Sequence, residues 1–236
     1  VGGAVAMLVE VAPAWQLDLA PWLPAVVLVW MLGVLALSLR LAYGWVTVTR
    51  FRRDAIASIS APLAAAVARV REAMDFGSRL PVAESSMVDS PTVVGWVRPL
   101  LLMPVGIVAG LSPTQLEAIV AHEFAHVRRL DPLVNGLQAV VETLFFYHPA
   151  VWWISAELRR EREHAADDEA IAISGDRVAY AAALACLEER RQLASALSLA
   201  ATDGDLLGRV QRVLGMRPAR RWRTRPGAWL GVTVGL

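Results

Sequence analysis

The sequence contains no lysine: all 23 of its basic residues are arginine. Physics would not exclude lysine from every exposed position, so we read this as genomic base composition rather than as function. Against 22 acidic residues the net charge is only +1. That excludes the large electrostatic footprint that nucleic-acid binding requires. Cys186 is the sole cysteine, which rules out an intrachain disulfide and a thiolate-rich metal site. Histidine is scarce as well, with four residues, all between 122 and 164. Residues 1–11 are apolar but have no basic leader and carry Glu10, so they do not read as a signal peptide. No internal repeat or low-complexity tract is present.

What the chain has in excess is apolar surface. Apolar residues make up 56% of its 236 residues, with a mean hydropathy of +0.46. Ordinary soluble domains hold about 45–50% by a more inclusive count, so part of the chain is expected in lipid. The stretch 21–45 carries a single charge, Arg40, placed near its end where it can snorkel to the interface. About 20 such residues span a bilayer as a helix, and Trp22, Tyr43 and Trp45 suit its aromatic belts. A transmembrane helix is therefore predicted over 21–46, after a short extracytoplasmic segment, or the end of an upstream span, at 1–20.

Arg50, Arg52 and Arg53 follow this span, and Arg217, Arg220, Arg221, Arg223 and Arg225 precede a second apolar run. Basic residues beside spans mark the cytoplasmic side. Residues 50–215 are thus expected to form a cytoplasmic domain, 216–226 a basic juxtamembrane linker, and 227–236 the start of a further transmembrane helix. The absence of an initiating Met and the apolar end suggest an internal piece of a longer, multi-pass membrane protein. The rival assignment, an RNA-binding patch, is weaker: only Phe51 and Trp222 interleave the arginines.

The domain reads as mainly α with a small β element (α+β). Residues 54–74 are Ala-rich and helical in pattern. A small sheet or hairpin is predicted within 80–104 from its β-branched and apolar runs and its Pro and Gly punctuation. Ser112-Pro113-Thr114-Gln115 is a helix start with a capping box, and this helix should run to about Leu130, where Asp131-Pro132 breaks it. The next helix places Leu133, Leu137, Val140, Val141 and Leu144 on one face. A third runs from Pro149 to about Ile173. Gly175-Asp176 then leads into an Ala-rich helix through about Leu197.

Residues 122–126 read His-Glu-Phe-Ala-His. On a helix, positions i and i+4 share a face, so His122 and His126 can reach one ion. Glu123, between them, is placed to take a proton from water rather than to ligate. A catalytic zinc needs a third protein ligand and an open position. Downstream, Glu163 and Asp167 are again i and i+4, a spacing that lets Glu163 bind while Asp167 orients a ligand histidine. Glu161 and Asp168 fall off that face. Taken alone, such a run is more often a solvated charged stretch. His148, in Tyr147-His148-Pro149, could stabilise a developing oxyanion, although a satisfied core histidine is the more ordinary role. Trp152 and Trp153 read as packing or membrane-interface anchors.

HEFAHVRRLDPLVN, LFFYHPAVWW and REREHAADD, at these spacings, resemble the BlaR/MecR family of membrane metallopeptidases, bacterial sensor-transducers of beta-lactam resistance and their relatives. WMLG, SPTVVGWVRPLLLMP and the LGRVQRVLG run at 207–215 extend the resemblance over most of 21–215. It implies an HExxH zincin-like metalloprotease domain flanked by transmembrane helices. In it Zn2+ is held by His122, His126 and Glu163, and Glu123 is the catalytic base. The ExxxD element is also similar to that of HtpX-type membrane proteases. Ala166 departs from the pattern, where many relatives carry Cys, without touching the metal site.

The mechanism that follows is hydrolysis of a peptide bond, with Glu123 shuttling the proton and residues 93–97 as an edge strand able to pair with extended substrate. The implied partners are a peptide or protein substrate, such as a cytoplasmic repressor or the chain itself, and the lipid bilayer, with no direct nucleic-acid binding. Two other functions are open to the sequence: a quality-control membrane protease, and a non-proteolytic metal-bound transducer, for which Glu123 would be superfluous.

Overall fold

A computed structural model describes residues 20–54, 59–76, 80–196 and 206–216. Residues 1–19, the second arginine cluster and the final apolar run lie outside the described residues.

The described residues open with a 3-10 turn, Ala20–Trp22, that leads into α1, Leu23–Asp54. This helix outlasts the predicted span by eight residues, since nothing in Val46-Thr47-Val48-Thr49 or the arginines after it breaks a helix. Its stretch Ala20–Arg50 is long and apolar enough to cross a membrane, with a mean hydropathy of 2.2 in its most apolar window, none of it buried. The helix expected over 54–74 is shorter. α2 covers Ala61–Ala73, with Pro62 in its first turn, and 55–58 are outside the described residues. The backbone N–H of Ser60, its N-cap, donates to Glu84 at 2.7 Å.

Three short strands follow: β1, Val82–Ser85; β2, Thr92–Val94; and β3, Leu100–Pro104. They pair in the order β1-β3-β2, with β1 parallel and β2 antiparallel to β3. β2 is an edge, as expected, but ends at Val94 rather than Val97 because Gly95 turns into the left-handed region at φ 95°. β3 is buried along its whole length. Its alternation sends Leu101 and Met103 into the main core, while Leu100 and Leu102 join Ala83 and Val94 in a smaller cluster.

After the single turn α3, Val105–Val108, comes α4, Pro113–Arg128. Its capping box is formed: Gln115 N–H donates to Ser112 Oγ, and Ser112 N–H to Gln115 Oε1. α4 is the central post of the core. Leu116, Ile119, Val120, Phe124 and Ala125 are buried on several sides, against α2, α6, Pro149–Ser174, and α7, Arg177–Ala196. Its apolar and small residues between 116 and 127 suit a helix packed on several sides. The break at Asp131-Pro132 proves to be a hinge between two helices. Leu130 adopts the left-handed conformation (φ 59°, ψ 26°), and α5, Asp131–Leu144, starts at the next residue. Gly175, also left-handed at φ 69°, ends α6, and Asp176 Oδ1 accepts from the N–H groups of Val178 and Ala179 at the start of α7. The last helix among the described residues, α8, Leu206–Val213, unforeseen as such, falls on the LGRVQRVLG run.

α1 is fastened to the domain along α5. Trp30 Nε1 donates to the Leu144 carbonyl at 3.1 Å. The Phe146 ring lies so close to Gly33 that a Cβ there would meet it at 2.3 Å. Trp96, from the loop after β2, stacks edge-on against Trp45 (5.8 Å between centroids) and covers Gly136 of α5.

Candidate metal centre

The helical repeat of α4 brings His122 and His126 side by side, with Nε2 of one 3.2 Å from Nε2 of the other. α6 crosses α4 so that Glu163 faces the pair. Its Oε2 lies 3.5 Å from His122 Nε2 and its Oε1 3.6 Å from His126 Nε2. One ligand atom from each of the three falls within 4.8 Å of the others, so the three side chains could hold a metal ion. His122 is buried, while His126, Glu163 and the neighbouring Glu123 are half-buried. The group is therefore anchored from below and open on one side.

The outer nitrogens are also engaged. His126 Nδ1 lies 2.7 Å from Asp131 Oδ2. Tyr180 donates its hydroxyl to Asp167 Oδ1 at 2.7 Å, and its oxygen lies 2.8 Å from His122 Nδ1. A phenol has one proton to give. With that proton on Asp167, the phenol oxygen accepts from His122 Nδ1–H. A metal that displaced the proton from His122 Nε2 would then find both Nε2 atoms turned to the same point, in the tautomer it requires.

Arg209, from α8, completes the cluster. It bonds Asp167 through Nε (3.1 Å) and Nη2 (2.6 Å), and its Nη1 lies 2.9 Å from Glu163 Oε2. The electrostatics follow from these contacts. Burial would push the Glu163 carboxyl up, but the hydrogen bond and charge of His122, with Arg209 and His126, bring it down to about 2. Asp167 is held well below the carboxylate range in the same way, its burial outweighed by His122 and Arg209. Burial and the Asp167 carboxylate raise Tyr180 far above an ordinary phenol, so it remains a donor. Burial would lower His122, yet the hydrogen bonds to Asp167 and Glu163 prevail and raise it to about 9. A concentration of negative charge around two imidazoles is the environment in which a cation is favoured.

The structure thus brings together His122, His126, Glu163 and Asp167, with Glu123 alongside on α4. It leaves Glu161 and Asp168 on the solvent side, Asp168 paired with Arg212 of α8. His148 is not part of the cluster. It is the exposed N-cap of α6, and the 1.5 Å rise per residue puts it about 22 Å along the axis from Glu163. Nor is it a core histidine. Sequence reasoning missed Asp131, Tyr180 and Arg209. Asp131 was visible only as half of a helix-breaking pair, Tyr180 as the one aromatic in an Ala-rich helix, and Arg209 as one arginine among many.

Two histidines from HExxH and a glutamate from a second helix form the donor set that metallopeptidases use. The profile of the BlaR1 peptidase M56 family matches residues 11–213, and the chain belongs to that family. It is similar to the regulatory protein BlaR1 of Bacillus licheniformis, with 24% identity over 139 residues, or 59% of this chain and 23% of that protein. It is also similar to the methicillin resistance mecR1 protein of Staphylococcus aureus and of Staphylococcus epidermidis, with 26% identity over 98 residues, or 42% of this chain and 17% of theirs. The chain thus spans less than a quarter of the length of these relatives.

Proposed function

We propose that the chain is the catalytic part of a membrane zinc endopeptidase that responds to a signal, cutting itself or a cytoplasmic regulator such as a transcriptional repressor. The observation that carries this is the convergence of three side chains: the two Nε2 atoms lie 3.2 Å apart, and the Glu163 carboxylate sets Oε2 3.5 Å from His122 Nε2 and Oε1 3.6 Å from His126 Nε2. Four-coordinate zinc with bonds of about 2.0–2.1 Å requires ligand-to-ligand edges of about 3.3–3.4 Å. Nitrogen donors at two of three corners disfavour calcium and magnesium, which select oxygen.

When bound, zinc lowers the pKa of a water to about 7 and polarises the scissile carbonyl. The chain's own residues supply the rest. His122, His126 and Glu163 fix the position of the chemistry and leave one side open. The Glu123 carboxylate takes the proton of the attacking water and delivers it to the departing amine nitrogen. Tyr180, Asp167 and Asp131 hold both rings in the tautomer that keeps Nε2 free, and Arg209 holds Glu163 and Asp167 in place. The edge of β2 offers unpaired backbone groups to an extended substrate.

α1 is assigned as a transmembrane helix from its length and exposed apolar surface, with the domain on the cytoplasmic side from Arg50, Arg52 and Arg53 at its end. Signalling is favoured over quality control by the regulatory and resistance names of the relatives. The test is the full chain in lipid nanodiscs, loaded with zinc and assayed for self-cleavage and against quenched fluorescent peptides. Glu123→Gln should keep its zinc and lose cleavage. A zinc-replete Glu123→Gln that cleaves like the parent, or a parent that holds no zinc, overturns the assignment.

A further inference from the structure

α5 turns its apolar side outward and its polar side inward. Leu137, Val141 and Leu144 on α5, and Tyr147, Trp153 and Ile154 beyond the turn into α6, are all exposed, Leu137 and Trp153 by about two thirds (66% and 67%). Most polar groups of the same segment face the protein, Asn135 and His148 being the exposed ones. Gln138 and Thr143 are buried, and Glu142 accepts from Arg159 at 2.7 Å and from Gln138 at 3.1 Å. From residue 132 to 156 the only Asp, Glu, Arg or His are Glu142 and His148. An exposed, nearly uncharged surface over so many residues is foreign to a water-facing helical hairpin.

The position of this hairpin says what covers it. α5 lies along α1: Trp96 joins Gly136 to Trp45, and further on Trp30 bonds Leu144 and Gly33 receives Phe146. The tip of the hairpin therefore stands at the level of Gly33. That is about 10 Å from Arg40 and about 25 Å from Arg50 along the helix axis. Both arginines have to stay near the water, so the tip lies within the hydrocarbon layer on either count. α5 has 14 residues, about 21 Å of helix, too short to cross about 30 Å of hydrocarbon and suited to a re-entrant or interfacial segment.

We infer that α5 and the first turns of α6 form a re-entrant hairpin whose exposed face is covered by lipid acyl chains. This rests on the assignment of α1 as a transmembrane helix. It also fixes a substrate class. Asp131 opens α5 and bonds His126, so the metal centre stands at the foot of the hairpin, at the membrane surface. The polypeptide it receives is one held at that surface: a juxtamembrane segment, or a protein recruited to the bilayer.

Cys186 being the sole cysteine, the test uses a Cys186→Ser background of the full chain with single cysteines at Leu137 and Trp153. Leu28 on α1 serves as the lipid reference and Val178 on α7 as the water reference. Each is labelled with an environment-sensitive fluorophore in phosphatidylcholine–phosphatidylglycerol vesicles, with and without nitroxide on the acyl chains. Retained zinc reports folding, and Leu133 or Ile154 replaces any position that loses it. Leu137 and Trp153 should be quenched as strongly as Leu28, within about twofold, and several-fold more than Val178. Quenching equal to that at Val178 overturns the proposal. That holds whether the label is in water or is shielded by a second copy or another part of the protein. If Leu28 is quenched and Leu137 is not, the hairpin fails alone; if neither is, the transmembrane assignment falls with it.

Discussion

Asp131 Oδ2 lies 2.7 Å from Nδ1 of His126, across a hinge at Leu130 that holds a non-glycine residue in the left-handed region. This backbone conformation costs of the order of 1–2 kcal/mol. It lets α5 begin immediately after α4 with its first carboxylate turned back on the ring. Asp131→Ala should weaken zinc binding about 10- to 100-fold, as loss of such a partner generally does. Asp131→Asn, which retains the acceptor without the charge, should lose less. Competition against a graded chelator measures both, and an Asp131→Ala that binds zinc like the parent removes Asp131 from the site.

Glu163→Ala should empty the site. Asp167→Ala should bind zinc about 10- to 100-fold more weakly, because it frees Tyr180 and, through it, His122. Glu161→Ala and Asp168→Ala should keep their metal, since both face solvent and the Asp168–Arg212 pair is exposed enough to contribute little. Zinc content after dialysis ranks the four. An empty Glu161→Ala beside a loaded Glu163→Ala would mean that the register of α6 assigned to the ligand face is wrong.

Arg209→Ala takes from two carboxylates the cation they share, with Asp167 fully buried. Removing one partner of a buried charged group typically costs about 3–5 kcal/mol. A bound divalent cation supplies much of the missing positive charge, so zinc should raise the melting temperature of Arg209→Ala more than that of the parent. Arg209→Lys, charged but unable to bond both carboxylates in the same way, should fall between. Equal zinc-induced shifts in parent and variant would remove the electrostatic role.

Gly33→Ala puts a methyl where the Phe146 ring now sits. It should destabilise the packing of α1 on α5, and Phe146→Ala should relieve most of that loss. The coupling between the two, by thermal unfolding in a double-mutant cycle, should exceed 0.5 kcal/mol. Additive effects would show that the ring moves aside freely.

The parts of the centre legible in the sequence were those set by the period of a helix. HExxH and ExxxD each fix their own geometry at i and i+4, and Ser112–Gln115 fixes where the first of these helices starts. Asp131, Tyr180 and Arg209 come from other helices, and no local spacing announces which side chain a tertiary contact will bring in. The hinge was equally hidden: Asp131-Pro132 signals a stop, and only the left-handed Leu130 turns that stop into a new helix. His148 misled for the opposite reason, as a polar residue in a strong motif whose place at a helix N-cap keeps it far from the chemistry.

The contribution of α8 has a consequence for how the protein is made. Both histidines and Glu163 are synthesised before Arg209, and a domain generally folds as a unit. A nascent chain whose α4 and α6 have emerged therefore still lacks the Arg209 guanidinium that bonds both carboxylates. The centre reaches its final form only once α8 has left the ribosome, which ties its assembly to a segment synthesised well after its ligands.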